Sequence, residues 1–164
     1  MSTTRLRSLY PVIDRLPERL AQQVEAAVQT LDLAAGTVVF DERQPCRGFP
    51  FVLGGAIRVA KRSSGGRELP LYRVLPGESC IITSSCLLGH SDYNARGITE
   101  GETQLVLLPR PLFDELIATP AFRDFVFALF SERMADLMQL VEEVAFRRLD
   151  QRLAALLLGK GRTV

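Results

Sequence analysis

The 164-residue sequence has no tryptophan and a single histidine, His90. A metal-dependent enzyme on a small β-barrel of the cupin type holds its ion with two or three histidines, so one histidine argues against that chemistry. The sequence also contains no Gly-x-Ser-x-Gly motif, no P-loop and no dinucleotide-binding fingerprint. We therefore predict that the chain is not an enzyme, and that it has neither catalytic residues nor metal ligands.

Long apolar runs and an excess of one charge are also missing. No stretch approaches the roughly 18–20 apolar residues that span a bilayer, and no apolar run follows the arginines of residues 1–15, as a secretory signal would require. We therefore expect a cytoplasmic protein without a membrane partner. The net charge is +1, so residues 1–164 offer no strongly basic surface that would bind DNA without another module.

Hydrophobic residues make up 47% of the sequence, which is enough for one domain with a true core. The helical spacing of Leu20, Val24 and Val28 predicts a helix over residues 16–31. After Thr37, short apolar runs alternate with turn residues, which favours about eight antiparallel strands. The clearest predicted strands are 37–40, 51–53, 56–61, 68–74, 95–99 and 104–108, with a loop at 42–48 and turns at 63–66 and 76–77.

Helical patterns return after residue 110. Residues 111–117 predict a short helix, and Thr119 with Pro120 predicts the N-cap and first turn of a long helix that ends near Phe146. Apolar residues on the long helix recur at alternating steps of four and three residues, which is the period of a coiled-coil seam. The predicted dimerisation residues are Phe130, Met134, Leu137, Val141 and Val144.

A further helix is predicted to begin at Leu149, because Leu153 and Leu156 continue a helical spacing. The predicted fold is α+β and mainly β: an antiparallel double-stranded β-helix, or jelly roll, with short flanking helices and a long C-terminal dimerisation helix. The predicted domains are the N-terminal helix with the β-roll over 1–118, the dimerisation helix over 119–147, and the start of another module over 148–164.

Three sequence blocks resemble the cyclic-nucleotide-binding β-roll of the CRP/FNR family of transcription regulators. The blocks are Phe51-Val-Leu-Gly-Gly-Ala-Ile-Arg-Val, Gly66-Arg-Glu-Leu and Leu71-Tyr-Arg-Val-Leu-Pro-Gly-Glu, and the resemblance continues through 142–146 and 149–153. It implies a homodimer in which the β-roll senses a signal and a C-terminal helix-turn-helix reads DNA, with RNA polymerase as a candidate partner. We expect residues 148–164 to be the truncated start of that DNA-binding domain, so that this fragment does not bind an operator itself.

The resemblance implies that a cyclic nucleotide would lie along residues 77–95. Its ribose would meet Glu78, and its phosphate would pair with an arginine just before Ala95, because a buried phosphate needs a charge-assisted partner. In this sequence Tyr93 stands at the arginine position and is followed by Asn94. A tyrosine cannot neutralise a phosphate, so we predict no response to cyclic AMP or cyclic GMP.

Two of the three cysteines, Cys80 and Cys86, fall within that ligand segment. Buried cysteines often serve as small hydrophobic residues, but this position favours a thiol-redox response. In this hypothesis Arg47 lowers the pKa of the Cys46 thiol, and Cys80 and Cys86 close a reversible disulfide if their Cα atoms approach within about 7 Å. The predicted effector or redox site comprises Cys46, Cys80, Thr83, Cys86, Tyr93 and Asn94.

Two other functions stay open at this point. One is a β-roll that binds a small molecule and regulates something other than DNA, and the other is a haem- or metal-based gas sensor. An iron–sulfur cluster is disfavoured because the first twenty residues contain no cysteine, and because the three cysteines and His90 lack a CxxC spacing. His90 is predicted to lie in a solvated turn. We expect no cofactor.

Overall fold

The computed structural model describes the backbone of residues 2–159, and the side chains of residues 3–146, 151, 153, 154 and 157. It forms two compact units, Met1–Val126 and Phe127–Val164. The helices are α1 (Ser2–Leu9), a 3-10 helix (Pro11–Arg15), α2 (Glu18–Ala26), α3 (Ile81–Gly89), α4 (Arg110–Ile117) and α5 (Pro120–Gly159). The strands are β1 (Thr30–Leu33), β2 (Val38–Phe40), β3 (Gly48–Gly54), β4 (Ile57–Arg62), β5 (Glu68–Val74), β6 (Arg96–Thr99) and β7 (Thr103–Pro109).

The strands form two antiparallel sheets, ordered β1-β7-β3 and β2-β6-β4-β5. Strands β3 and β5 lie at sheet edges and carry Pro50 and Pro70, which an edge strand tolerates because the N–H that proline lacks would face away from the ladder. Between β3 and β4 the chain bends at Gly55, whose φ is +74° and where a Cβ would overlap the backbone of Thr103. The mainly β, α+β fold predicted from the sequence is confirmed.

A cluster of buried aromatic rings fixes β3 against the flanking helices of the first unit. The Phe49 ring centroid lies 5.5 Å from that of Phe113 on α4 and 5.9 Å from that of Phe122. On the same strand, Phe51 meets the Tyr10 ring at 4.6 Å. Each large aromatic side chain buries about 150–250 Å², so these rings supply much of the apolar area that holds the β-roll together.

Tyr10 also connects the N-terminal segment to the turn before α3. Its hydroxyl accepts a hydrogen bond from the Val52 N–H at 2.8 Å and donates one to the Glu78 carbonyl at 2.7 Å. Burial raises the pKa of the Tyr10 phenol, so it stays protonated as a donor. The helices over residues 2–15 were not predicted from the sequence.

The predicted helix over residues 16–31 is wrong at its C-terminal end. Helix α2 ends at Ala26, and Thr30–Leu33 forms β1, which pairs with β7 from Thr30↔Val106 to Leu33↔Thr103. Cross-strand pairing outweighs a weak helical spacing here, because secondary-structure preference is easily overridden by tertiary contacts.

The predicted start of a separate helix at Leu149 is also wrong, because the backbone of α5 is helical from Pro120 to Gly159. No proline or glycine interrupts positions 121–158, and alanine, leucine, arginine and glutamate, which favour helices, dominate the sequence there. The N-cap prediction is confirmed, since Phe122 N–H donates to Thr119 Oγ1 at 3.4 Å. The side chains of Leu149 and Leu156, and residues 160–164 of the predicted further module, lie outside the described residues.

Candidate functional site

Helix α3 carries most of the predicted site and is held at its first turn by a side chain from the sheet. The Ile82 N–H donates to the Tyr72 hydroxyl of β5 at 3.2 Å, which satisfies one of the donors that a helix leaves unpaired at its start. Ser84 bonds the Cys80 carbonyl through both its N–H (3.0 Å) and its hydroxyl (3.1 Å). His90, with φ of 49°, ends the helix in the left-handed conformation.

The Tyr93 hydroxyl joins three parts of the site. It lies 3.2 Å from Cys46 Sγ and 3.3 Å from Thr83 Oγ1 on α3. The Tyr93 backbone is fixed as well, because its N–H donates to the Gln44 carbonyl at 3.0 Å and its carbonyl accepts from the Arg43 N–H at 2.8 Å. The loop at residues 41–47 and helix α3 therefore meet at one phenol.

The Tyr93 ring is stacked on Phe40, with centroids 4.3 Å apart and planes 12° from parallel. Gly97 lies against Phe40, and a Cβ at Gly97 would overlap the Phe40 ring. Both aromatic side chains are buried. The absence of a side chain at residue 97 thus leaves room for the aromatic pair that fills this part of the β-roll.

All three cysteines are buried and free. Cys80 Sγ lies 3.5 Å from the Tyr72 hydroxyl, near the start of α3. Cys86 lies near Cys46 and Ser91, whose side chains both influence the pKa of its thiol. We call Cys46 and Cys86 the thiol pair, and Cys80, which contacts Tyr72, is close enough to raise the pKa of both.

The hypothesis that Arg47 lowers the pKa of Cys46 is wrong. Burial raises the pKa of the Cys46 thiol, and this effect exceeds the opposing influence of its hydrogen bond to Tyr93 and of the Arg110 cation. The Arg47 side chain is exposed to solvent. Burial also raises the pKa of Cys86, to about 11, and raises the pKa of the Tyr93 phenol. These groups are all neutral near pH 7.

The hypothesis of a Cys80–Cys86 disulfide does not fit the folded geometry. The Cys80 carbonyl already accepts the Ser84 N–H, so the helical spacing runs from Cys80 onwards. Six residues of helix rise by about 9 Å, which exceeds the Cα separation of about 7 Å that a disulfide can bridge. A bond between these two sulfurs would require α3 to unwind.

Most predicted site residues come together, and the structure adds others. Cys46 and Thr83 both contact the Tyr93 hydroxyl, and Cys86 lies near Cys46, whereas Asn94 is exposed. The sequence analysis missed the residues that complete the site, which are Phe40, Tyr72, Ser91 and Gly97. In the sequence, Phe40 is visible as an aromatic residue at the end of a strand and Gly97 as a glycine within another. Neither feature indicates which residue it packs against.

Glu78, the expected ribose partner, and Arg96, the residue that follows Ala95, both have other partners. Glu78 is exposed, and its carboxylate accepts the Leu75 N–H at 3.0 Å within its own turn. Arg96 forms ion pairs with Asp41 at 3.6 Å and Glu68 at 3.9 Å. Neither charge contacts the Tyr93 hydroxyl, whose partners are a thiol and another hydroxyl.

A cavity of about 340 Å³ borders the site. Its wall includes the Phe40–Tyr93 pair, and Pro45, Arg47 and Gly48, the immediate chain neighbours of Cys46, also line it. The cavity is large enough for a small molecule, and Tyr93, whose hydroxyl contacts Cys46, forms part of its lining.

His90 is exposed, in agreement with the predicted solvated turn, and its Nδ1 contacts the Arg110 guanidinium. Within the part of the chain that the structure describes, no group of three or more histidine, cysteine, aspartate or glutamate side chains is placed to hold a metal ion. Over the same residues, no helix has both the length and the apolar character needed to cross a membrane.

The second unit carries the predicted seam as a row of exposed apolar side chains. Met134, Leu137, Val141 and Val144 are between 47% and 63% exposed, and Phe130 is half-buried. Phe127, which is 54% exposed, lies three residues before Phe130 and so extends the row towards the start of the helix. Exposed apolar rows of this length on a soluble helix usually mark an interaction surface.

Comparison with known proteins assigns the part of the chain that contains this site to a family. A family profile described as the cyclic nucleotide-binding domain matches residues 30–119, which is more than half of the chain. A search of curated proteins found no match.

Solved structures with the same fold include three bacterial regulators. A protein described as a transcriptional regulator of the CRP/FNR family from Eubacterium rectale has a TM-score of 0.75 at 23% identity, over 93% of this chain and 71% of its own. The catabolite activator protein of Thermus thermophilus has a TM-score of 0.68 at 21% identity, over 83% of this chain and 63% of its own. The sensor domain of the regulator DNR from Pseudomonas aeruginosa has a TM-score of 0.66 at 17% identity, over 87% and 92%.

The structural similarity to these three proteins establishes the fold, and the match to the family profile establishes the family. The β-roll, helix α3 and the short helix α4 all fall within residues 30–119. The matched region spans both sheets, so the resemblance is not confined to one motif. The chain belongs to the cyclic nucleotide-binding domain family and has the fold found in regulators of the CRP/FNR type.

Proposed function

We propose that this chain is the sensory and dimerisation part of a CRP/FNR-like DNA-binding transcription regulator. The family match over residues 30–119 and the exposed seam on α5 support this function together. The chain spans 63% of the Thermus regulator, and in this proposal DNA recognition belongs to a further module of the whole protein. The regulator works in the cytoplasm, contacts DNA and RNA polymerase as a homodimer, and catalyses no reaction.

The proposed signal is not a cyclic nucleotide. Tyr93 occupies the position where the family resemblance expects the phosphate-binding arginine, and its hydroxyl is bonded to a thiol and a hydroxyl instead of being free for a ligand. Glu78, the expected ribose partner, is engaged with Leu75. A buried phosphate without a cationic partner would be strongly disfavoured.

Calorimetric titration with cyclic AMP and with cyclic GMP tests this part of the proposal. We expect no saturable heat up to millimolar nucleotide, with a cyclic-AMP-dependent regulator as the positive control. Binding in the micromolar range would show that the Tyr93–Phe40 pair moves aside to admit a nucleotide, and the proposal would then have to be abandoned.

The proposed signal is instead chemical modification of thiols. Cys80 and Cys86 lie in the segment that holds the ligand in the family, and Cys46 contacts the Tyr93 hydroxyl and lies near Cys86. A change at the thiol pair alters the packing of α3, and in the proposed mechanism this shifts the population of two pairings of the seam helices.

The seam is proposed to pair with the same seam of a second copy. Its residues alternate in steps of three and four from Phe127 to Val144, as two-stranded coiled coils require. Leu137→Ala combined with Val141→Ala should convert a dimer into a monomer in sedimentation velocity. Gln139→Ala combined with Phe146→Ala changes the opposite face of the same helix and should leave the dimer intact. A seam variant that still sediments as a dimer would contradict this assignment.

A second candidate is a β-roll that responds to a small molecule, which the cavity beside Tyr93 favours. The cavity has an aromatic wall, and Arg47 lies on its lining. Native mass spectrometry of the purified protein distinguishes the two candidates. A co-purifying mass that is lost on denaturation favours a bound molecule, whereas a bare chain whose mass changes only after oxidation favours thiol chemistry.

A further inference from the structure

We infer that Cys46 and Cys86 are the two cysteines that form a reversible disulfide, and that Cys80 takes no part in it. The inference names the modification site for the thiol response proposed above and rests on that response. It replaces the pairing of Cys80 with Cys86, which the helical spacing of α3 excludes.

Several contacts place Cys46 beside Cys86. Cys46 Sγ lies 3.8 Å from the Thr83 carbonyl, which is one helical turn before Cys86. At the other end, Ser91 N–H donates to the Cys86 carbonyl at 3.2 Å, and the next residue, Asp92, forms an isolated β-bridge with Pro45. These contacts hold the chain on both sides of the two thiols, and Cys46 is near enough to raise the pKa of Cys86.

The cavity gives a small oxidant a route to one of these thiols. Pro45, Arg47 and Gly48 line the cavity and flank Cys46 along the chain. The Cys46 thiol also contacts the Gly48 carbonyl at 3.9 Å. No residue of α3 is among the lining residues, so we expect a peroxide that enters the cavity to react with Cys46 before Cys86.

The reaction with hydrogen peroxide is balanced as follows. The Cys46 sulfur gives up its proton and attacks one peroxide oxygen, so that an S–O bond forms, the O–O bond breaks and one water leaves. The Cys86 sulfur then attacks the Cys46 sulfenic acid, which forms the S–S bond and releases a second water. The two thiols together lose two electrons and two protons, and the peroxide is reduced to two waters.

The disulfide changes the contacts of Tyr93. In the reduced protein the Cys46 S–H donates to the Tyr93 hydroxyl, and the disulfide has no proton to donate. The phenol keeps Thr83 as its neighbour, while the loop at residues 41–47 becomes covalently joined to α3. A covalent event at one thiol pair therefore alters how the loop and the helix are held together.

Trypsin digestion after oxidation identifies the disulfide directly. The protein is treated with hydrogen peroxide, its remaining thiols are blocked with N-ethylmaleimide, and it is digested without reduction. Cys46 falls in the tryptic peptide 44–47, whereas Cys80 and Cys86 both fall in the peptide 74–96. The expected product is peptide 44–47 linked to peptide 74–96, with Cys80 alkylated, and dithiothreitol should separate the two peptides.

Single variants provide the controls. Cys80→Ser should still lose two mass units on oxidation, while Cys46→Ser and Cys86→Ser should form no intrachain disulfide. A loop within peptide 74–96, a link through Cys80, or three unmodified cysteines in the folded wild-type protein would each overturn the inference. The mapping on wild-type protein does not depend on any variant folding, and the nucleotide and sedimentation experiments test the proposed function without involving a thiol.

Discussion

Tyr93 is the residue on which the site depends most. Its hydroxyl is the partner of both Cys46 and Thr83, and its ring covers Phe40. The ring contributes packing and the hydroxyl contributes hydrogen bonding, so a substitution can separate the two effects.

Tyr93→Phe keeps the ring and removes only the hydroxyl. Because it leaves buried polar partners without their hydrogen bonds, we expect it to lower the free energy of unfolding by about 1–3 kcal/mol. Asn94→Ala, at the exposed neighbouring position, should change it by less than about 0.5 kcal/mol. Urea denaturation measures both values, and equal effects of the two substitutions would argue against a structural role for the hydroxyl.

The raised pKa of Cys86 predicts a loss of stability at alkaline pH. The thiol has a pKa of about 11 in the folded chain, and about 8.5 in an unfolded one. The unfolded state therefore ionises first, so the stabilisation is complete below about pH 8.5 and disappears as the pH rises to 11. Over this range the wild-type protein should lose on the order of 2 kcal/mol more than Cys86→Ala. Urea denaturation at each pH measures both proteins. If the wild-type protein and Cys86→Ala lose the same free energy of unfolding over this range, Cys86 does not titrate as described.

At the scale of residues, the sequence could predict the position of Tyr93 but not its surroundings. The resemblance placed a tyrosine where a phosphate-binding arginine was expected. Phe40 and Gly97 are more than fifty residues apart, and no local spacing shows that a missing Cβ at one makes room for the ring of the other. The charge of Arg47 was equally misleading, because burial in the fold is the largest influence on the pKa of the adjacent thiol.

Helix α3 depends on a capping contact from outside itself. Its residues 81–85 are Ile-Ile-Thr-Ser-Ser, a sequence with modest helix preference because of β-branching and competing hydroxyls. The Tyr72 hydroxyl compensates by accepting the Ile82 N–H from the sheet. The stability of α3 therefore depends partly on a side chain of β5.

Tyr72→Phe removes this cap and should loosen the first turn of α3. A lost N-terminal cap costs about 1 kcal/mol, so amide exchange over residues 81–85 should become about fivefold faster. Leu71→Ala, at the preceding exposed position of β5, is the matched control. Hydrogen–deuterium exchange with peptide mass analysis compares them, and unchanged protection in Tyr72→Phe would remove the capping role.

At the scale of elements, the strands bounded by glycine and proline were predicted well, and those defined by tertiary contacts were not. Glu68–Val74 was predicted with the bounds that the structure gives it. Strand β1 and helix α3 were not predicted. Strand β1 is stabilised by pairing with β7, and α3 by its cap from Tyr72, and neither contact is visible in the local sequence. The separate helix expected from Leu149 was inferred from the spacing of Leu153 and Leu156, and no local residue interrupts α5 there.

At the scale of the whole molecule, the row from Phe127 to Val144 favours assembly over a solitary chain. Those side chains are exposed and lie on a helix of forty residues. If folding is coupled to pairing, stability depends on protein concentration by mass action.

The melting temperature should therefore rise with protein concentration, by about 2 °C for each tenfold increase. The Leu137→Ala, Val141→Ala variant should melt at a temperature that does not depend on concentration. Differential scanning calorimetry over a hundredfold range of concentration makes the comparison. A wild-type transition that stays constant over this range would mean that pairing and folding are not coupled.

The burial of the Cys46 and Cys86 thiols has a consequence for time. A reversibly bound ligand leaves as its concentration falls, so such a receptor reports the present. A disulfide between buried sulfurs persists after the oxidant has gone, because bulky protein reductants reach it poorly and small thiols must reduce it. A protein built in this way would retain a memory of past exposure, and the rate at which that memory is lost would depend on how often the fold around the sulfurs opens.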